Sequence, residues 1–349
     1  MTGPTADART VSPARWPPIR RRVAVTCGAF GAVTVAACVL APLVGSTPIS
    51  LARAFDRSVP FADNVDAQIF FLARLPRVLA GVLVGGSLAA AGTVTQALFR
   101  NPLAVPEMLG VSAGAALGAI LAITAGWSFA LGPLTPVPLA SLAGALVAVS
   151  LIYLLASAPR RALSTAVLLL AGVTLNAFIS AAILFVQYMS DFTQTMQAIR
   201  WLIGDLDVGS YAPIVAALPL VGVAFAVFAV LAARLNLLTL GPDAAAARGV
   251  NVATTQRLAF FSASLATSAA VALAGPIAFI GIIVPHLVRL IVGADHRVVL
   301  PASALFGAAF LVACDVVART VLAPIELPVG IITALVGGPF FLWLLVRNA

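Results

Sequence analysis

The chain has 349 residues, 62% of them hydrophobic and only 9% charged, with a formal net charge of +8. A soluble domain carries about a quarter charged residues, so this chain cannot cover itself with polar surface and reads as a polytopic membrane protein. All 20 basic residues are arginine, which excludes a Walker A phosphate loop and a Schiff-base lysine, so any ATP hydrolysis belongs to another chain.

In chain order, residues 1–22 are polar, contain Pro4, Pro13, Pro17 and Pro18, and read as a disordered cytoplasmic tail. The apolar run 23–44 exceeds the roughly 7–15 residues of a signal-peptide core and reads as an uncleaved first span. Splitting the later apolar runs at proline, glycine and charge clusters predicts helices near 76–99, 109–126, 137–157, 163–188, 212–233, 256–273, 277–292, 299–318 and 328–346. Ten helices then make 23–349 one all-α transmembrane domain, in which only "AGP" separates the seventh from the eighth.

An even count puts both termini on one face. With the N-terminus inside, the inner segments hold 14 arginines and the outer segments six: Arg53, Arg57, Arg74, Arg77, Arg200 and Arg319. That bias sets the expected orientation, with both termini cytoplasmic. The cluster Arg20–Arg22 abuts the first span, where topology accounts for it without nucleic acid.

The same count places Arg74 and Arg77 of "RLPRVLAGVLVGG" (74–86) outside, with Pro76 as the helix start. Two readings are open on these residues alone. The arginines snorkel to lipid headgroups, or they meet something that docks. Below them, Gly81, Gly85 and Ala89 recur every four residues, as do Gly110, Gly114, Gly118 and Ala122. Such spacing lets helix backbones approach closely.

Two inner connections stand out. "FRNPLAVPEMLG" (99–110) carries Pro102 and Pro106, which forbid a continuous helix. It is an ordinary tight turn or a gate at the inner mouth. "LGPDAAAARGVNV" (240–252) begins with Pro242 and Asp243, suited to a helix start, and Gly249 ends it. This short helix in the loop 235–255 docks on a partner or lies on the membrane.

Three cysteines in apolar runs and two histidines, His286 and His296, give no pattern for zinc or haem. The spans contain almost no acids of the kind that relay ions in coupled carriers. Asp315, near an outer end, sits four residues before Arg319, within pairing reach.

An ordered series of segments resembles the permease subunits of type II ABC importers for iron–siderophore complexes, haem and vitamin B12. It runs from "RLPRVLAGVLVGGSLAAAGTVTQALFRNPLAVPEMLGVSAGA" (74–115) through "LLLAGVTLN" (168–176) and "RWLIGDL" (200–206). "GPIAFIGIIVPHLVRLIVGADHR" (275–297), "DVVAR" (315–319) and "ELPVGIITALVGGPFFLWLL" (326–345) complete it. The resemblance implies ten spans per subunit and a dimer of this chain with a second copy or a paralogue. It also implies two ATP-binding subunits on the cytoplasmic face and an extracytoplasmic substrate-binding protein outside.

Carried over by motif, Arg74, Arg77 and Arg319 are the residues that meet acids of the substrate-binding protein. Asn101 and Leu103 belong to the cytoplasmic gate, and a looser match adds Ser164 and Thr165. The ATPase-coupling loop falls on Gly241, Pro242, Asp243, Ala244, Ala247, Arg248 and Gly249. Here the chain departs from the family: Pro242–Asp243 stands where an acidic pair is common, and Arg248 where an apolar residue is. Asp205 stands where serine is common. No catalytic residue, metal or cofactor is expected on this chain, ATP and Mg being held by the partner. The function expected is import of an iron–siderophore complex across a bacterial cytoplasmic membrane. Haem or vitamin B12 are the alternatives on the same scaffold, and an ion-coupled carrier is the alternative of another class.

Overall fold

A computed structural model describes residues 18–129, 135–156 and 165–348, and among these every regular element is helical. Ten apolar helices form the bundle: α1 (Ile19–Leu40), α4 (Leu75–Phe99), α5 (Val111–Thr124), α6 (Pro136–Ala156), α7 (Thr165–Tyr188), α9 (Ala212–Leu238), α11 (Val252–Ala274), α12 (Ile280–Val292), α13 (His296–Thr320) and α14 (Val329–Asn348). Each matches one of the expected runs. Seven are long and apolar enough to cross a membrane, while α5, α12 and the apolar part of α14 are shorter. Four short helices stand between them: α2 (Leu51–Ala54), α3 (Val65–Gln68), α8 (Phe192–Ile203) and α10 (Pro242–Ala246).

Three boundaries differ from expectation. The first helix starts at Ile19, so Arg20–Arg22 belong to its first turn and not to a tail. There Arg22 Nη2 donates to Val292 O at 2.8 Å, a guanidinium on the carbonyl end of α12, where cations are favoured. Pro76 does not begin a helix: α3 continues through a π-helical turn, Ile69–Arg74, into α4. Proline has no N–H and crowds the carbonyl four residues back; the wider turn just before Pro76 accommodates both. Finally, the "AGP" break is longer than three residues. Gly275 (φ +69°) and Phe279 (φ +71°) bracket an irregular stretch between α11 and α12.

The centre is α4, buried along nearly its whole length against α11, α12 and α13. Lipid gives no hydrophobic drive between helices, so close backbone approach and the dispersion it permits must hold them. The small-residue stripes supply it. A Cβ on Gly92 would stand 2.1 Å from Gly281 O, and one on Gly85 2.3 Å from Gly307 O. On the second stripe, Gly114 faces Gly144 and Gly118 faces Ala140 at similar range. In contrast, only 6% of the apolar window of α1 is buried; one side leans on α13 and the rest is left to face lipid.

Helix ends pair as alternating spans require. Asn236 at the end of α9 bonds Asp295 and the His296 N–H at the start of α13. Asp295 caps α13, and the Arg297 guanidinium beside it holds its carboxyl well below the usual carboxylate range.

Gly92→Ala is expected to destabilise the protein in detergent by about 1–3 kcal/mol or more, because the neighbour it meets is backbone that cannot turn aside. Gly28→Ala on α1, with nothing within 4 Å, is the control and should be neutral or slightly stabilising. Thermal unfolding of the two variants checks this.

Candidate functional site

At the N-terminal end of α4, Arg77 and Arg319 form one network with three acids, and Arg74 lies beside it. Arg77 stands at its centre. Its Nε donates to Asp315 Oδ1 at 2.7 Å, Nη1 to Glu326 Oε2 at 2.9 Å, and Nη2 to Asp205 Oδ1 at 3.3 Å. One guanidinium thus spreads its fork over three carboxylates from α13, the α13–α14 connection and the segment after α8, a geometry that a lysine's point charge does not offer. Arg319 Nε lies 2.9 Å from Asp315 Oδ2, in ion-pair contact without hydrogen-bond alignment. This is the pair expected from their four-residue spacing. Among the described residues Arg74 makes no salt bridge; it donates to the carbonyls of Pro42 and Thr47.

The three arginines are therefore not displayed at a surface. Arg74, Arg77 and Arg319 are 5%, 8% and 2% exposed, and Asp315 is 1% exposed. The side chains of Asp205 and Glu326 keep 41% and 38% of their surface. The network is thus closed around Asp315 and open at Asp205 and Glu326. A cavity of about 230 Å³ beside it is lined by Thr47, Arg74, Arg77, Asp207, Arg319 and Glu326 among others. The role of Asp205 is also plain: besides Arg77, its Oδ1 accepts from the N–H groups of Leu206 and Asp207, fixing the turn after α8.

Below the network, three irregular segments meet. The Asp205 N–H donates to Ala274 O at 2.8 Å and the Gly330 N–H to Gly204 O at 3.2 Å. A Cβ on Gly330 would stand 1.8 Å from Ile203 O, and one on Gly204 2.4 Å from Pro276 O. Only glycine permits these approaches. Against this junction lies a second cavity of about 380 Å³, lined by Glu107, Ser112, Ile203, Ile277, Ile331 and Ala334 among others.

Glu107 reaches that cavity because the α4–α5 connection folds back. After Phe99 the chain turns at Arg100 (φ +50°), and Asn101 Oδ1 accepts from the Leu103 N–H at 2.9 Å. Pro106 opens a single 3₁₀ turn, Pro106–Leu109, that packs on α7 with Met108 O against Gly172. Asn101 is exposed and Leu103 half-buried. Burial pushes the Glu107 carboxyl up to about 7. Of the remaining gate candidates, Thr165 opens α7 and Ser164 lies outside the described residues.

The coupling candidates sit at the other end of α4. Gly241, in a left-handed backbone (φ +112°), lies beside Arg100, and Pro242 starts α10. The helix is shorter than expected, ending at Ala246. Ala245 is its buried anchor, whereas Asp243, Ala247, Arg248 and Gly249 are exposed and Ala244 half-buried. Arg248 Nη1 returns to Ala244 O at 3.1 Å. From Arg77 to Arg100, α4 rises about 35 Å, the thickness of a bilayer core.

Two features of this region are not visible in the sequence. Glu107 was hidden in a connection whose fold-back no local pattern announces, and Asp205 and Glu326 gave no sign of sharing Arg77. Among the described residues, no group of three or more His, Cys, Asp or Glu is placed to hold a metal ion.

Residues 33–347 match the model of the FecCD transport family. The chain belongs to that family. It is 47% identical over 272 residues to the cobalamin import system permease protein BtuC of Halobacterium salinarum, covering 78% of this chain and 72% of that one. It is 42% identical over 284 residues to the hemin transport system permease protein HmuU of Yersinia pestis, covering 80% and 84%. A solved structure described as an inward-facing metal-chelate type ABC transporter superposes with a TM-score of 0.79 at 30% identity, over 93% of this chain and 99% of that one. As a FecCD-family protein the chain is a multi-pass membrane permease of an ABC importer. It is the membrane subunit and not the enzyme, ATP hydrolysis being carried by a separate ATPase.

Breaking a buried ion pair by removing one partner costs about 3–5 kcal/mol, whereas an exposed pair contributes about 0–1. Asp315→Asn, which leaves Arg77 and Arg319 without their buried acid, should therefore destabilise by about 3–5 kcal/mol. Glu326→Gln and Asp205→Asn should each cost under about 1 kcal/mol. Unfolding in detergent ranks the three; equal losses would show that the network is not centred on Asp315.

Proposed function

We propose that this FecCD-family permease carries a metal chelate across a bacterial cytoplasmic membrane by alternating access, both termini lying inside. Its partners are two ATPase subunits at the α10 end, a second permease copy or paralogue, and a substrate-binding protein at the Arg77 end. ATP and Mg belong to the ATPase subunits, and this chain holds no cofactor of its own. The observation that carries this reading is the placement of two unlike polar features at opposite ends of α4. One is an arginine–carboxylate network closed around the buried Asp315, and the other a five-residue helix anchored by Ala245 with Asp243 exposed.

Docking at the Arg77 end has a physical form in this proposal. Arg77 and Arg319 already have acid partners and Arg74, among the described residues, only carbonyls. An incoming carboxylate therefore meets the Arg74 charge and exchanges with the half-exposed Glu326 or Asp205, leaving the buried Asp315 pair intact. Such exchange favours steering and register over affinity, which suits a protein that must dock and leave in every cycle. At the other end, Asp243 and Arg248 present one charge of each sign, and the ATPase surface they meet would be complementary to both.

For the cargo, the ferric siderophore expected from the sequence stands beside cobalamin, which the relative at 47% identity favours, and haem, which the relative at 42% favours. Uptake of labelled cobalamin, haemin and a ferric hydroxamate siderophore into cells with and without this chain decides among them. The lost substrate names the cargo, and intact uptake of all three refutes the chelate reading.

Docking is tested with Arg74→Gln, which keeps donors for the Pro42 and Thr47 carbonyls but removes the charge. It should weaken binding of the substrate-binding protein about three- to fivefold at physiological salt, the value of about one partly screened ion pair. Co-purification of the ATPase subunits should persist. Undiminished binding would rule out the role given to Arg74.

A further inference from the structure

The cavity below the network holds two buried side-chain oxygens with no hydrogen-bond partner, Glu107 Oε2 and Ser112 Oγ. Both residues line the same space of about 380 Å³. Around them the wall is apolar, formed by Leu202, Ile203, Ile277, Ile331 and Ala334 together with Pro276, Ala278 and Gly330. None of these is titratable, so no cation stands ready to neutralise Glu107. Nearby, Asn176 Nδ2 reaches Glu107 O at 3.5 Å, which occupies the backbone and not the carboxyl.

Leaving buried polar groups unbonded is costly, and native structures rarely tolerate it without a reason. Here the two orphans lie together, on a chain that passes cargo, where three broken segments meet. Burial without a cation favours the protonated form of such a carboxyl, which is half populated at about pH 7. Neutral, it offers one O–H donor and a carbonyl acceptor, and Ser112 offers a hydroxyl that does either. An anionic group would find no cation among the lining residues and would pay its full desolvation.

We infer that Glu107 and Ser112 form a hydrogen-bonding contact for cargo in transit, selective for neutral amide or hydroxyl groups on the periphery of a chelate and against free carboxylates. The inference rests on the chain being an importer permease and not on which chelate it carries. The contact is weak by design of its parts: two neutral hydrogen bonds on an apolar wall hold a ligand briefly and release it.

The test uses the complete importer, reconstituted with its ATPase subunits and binding protein in proteoliposomes, with cobalamin, haemin and a ferric hydroxamate siderophore as probes. For a probe that is taken up, Glu107→Ala and Ser112→Ala should each raise the half-saturating concentration about three- to tenfold. Glu107→Gln, which keeps a donor and an acceptor, should recover to within about twofold of the parent. Parental half-saturation in both alanine variants overturns the inference, and so does a Glu107→Gln variant as impaired as Glu107→Ala. Uptake of none of the three probes counts against the cargo reading above, and the contact is then decided by dicyclohexylcarbodiimide, which adds to protonated carboxyls in apolar surroundings. Modification of Glu107, located by peptide mass and falling as pH rises through about 7, supports the neutral contact. An unmodified Glu107 overturns it. The same reagent decides the matter where an alanine variant fails to assemble.

Discussion

Backbone polar groups inside a bilayer have no water to turn to, and that constraint organises this permease more than any side chain does. Its helices break at three places that lie far apart in sequence, after α8, between α11 and α12, and before α14. The breaks are stable because they are brought together. Asp205 N–H finds Ala274 O, and Gly330 N–H finds Gly204 O. Glycines at 204, 275 and 330 let these strands of irregular chain touch. The arginine network lies on one side of this junction and the Glu107 cavity on the other.

Burial sorts the charges around the junction into two kinds. Asp315, held between Arg77 and Arg319 within the bundle, is structural; removing it would strand two cations. Asp205 and Glu326 touch the same guanidinium but remain in contact with solvent, so their pairing is screened and exchangeable. One arginine therefore serves as both a pillar and a terminal. The division follows from its planar fork, which lets Nε commit to the interior while Nη1 and Nη2 face outward.

Much of this was legible in the amino-acid sequence. Ten apolar runs, the four-residue glycine stripes and the Asp315–Arg319 pair are all local patterns, and local patterns survive folding when each run is long and its period clear. What stayed hidden depends on contacts between distant residues. Nothing near Arg77 shows that Asp205, 128 residues on, and Glu326, 249 residues on, share it. Glu107 reads as a loop residue because Pro102 and Pro106 end a helix without saying that the chain then turns back into the bundle. The amphipathic helix α8 was missed for another reason: at 12 residues, it is too short to stand out beside the long apolar runs. It begins with a capping box in which Asp191 and Gln194 bond each other's backbone, a signal visible in the sequence. The π turn before Pro76 is a response to packing that propensity does not foretell.

The Arg77–Asp315 pair carries a consequence for how the chain is made. The two residues are 238 positions apart, and a ribosome adding about 5–20 residues per second delivers the second on the order of 10–50 s after the first. Throughout that interval Arg77 has no buried counter-charge. The start of α4 must therefore wait at the membrane interface, its guanidinium in water, while α5 to α12 are inserted beside it. Only when α13 arrives can Arg77 exchange that water for Asp315 and the centre of the bundle close. The most buried helix is then among the first to enter the bilayer and the last to settle in it.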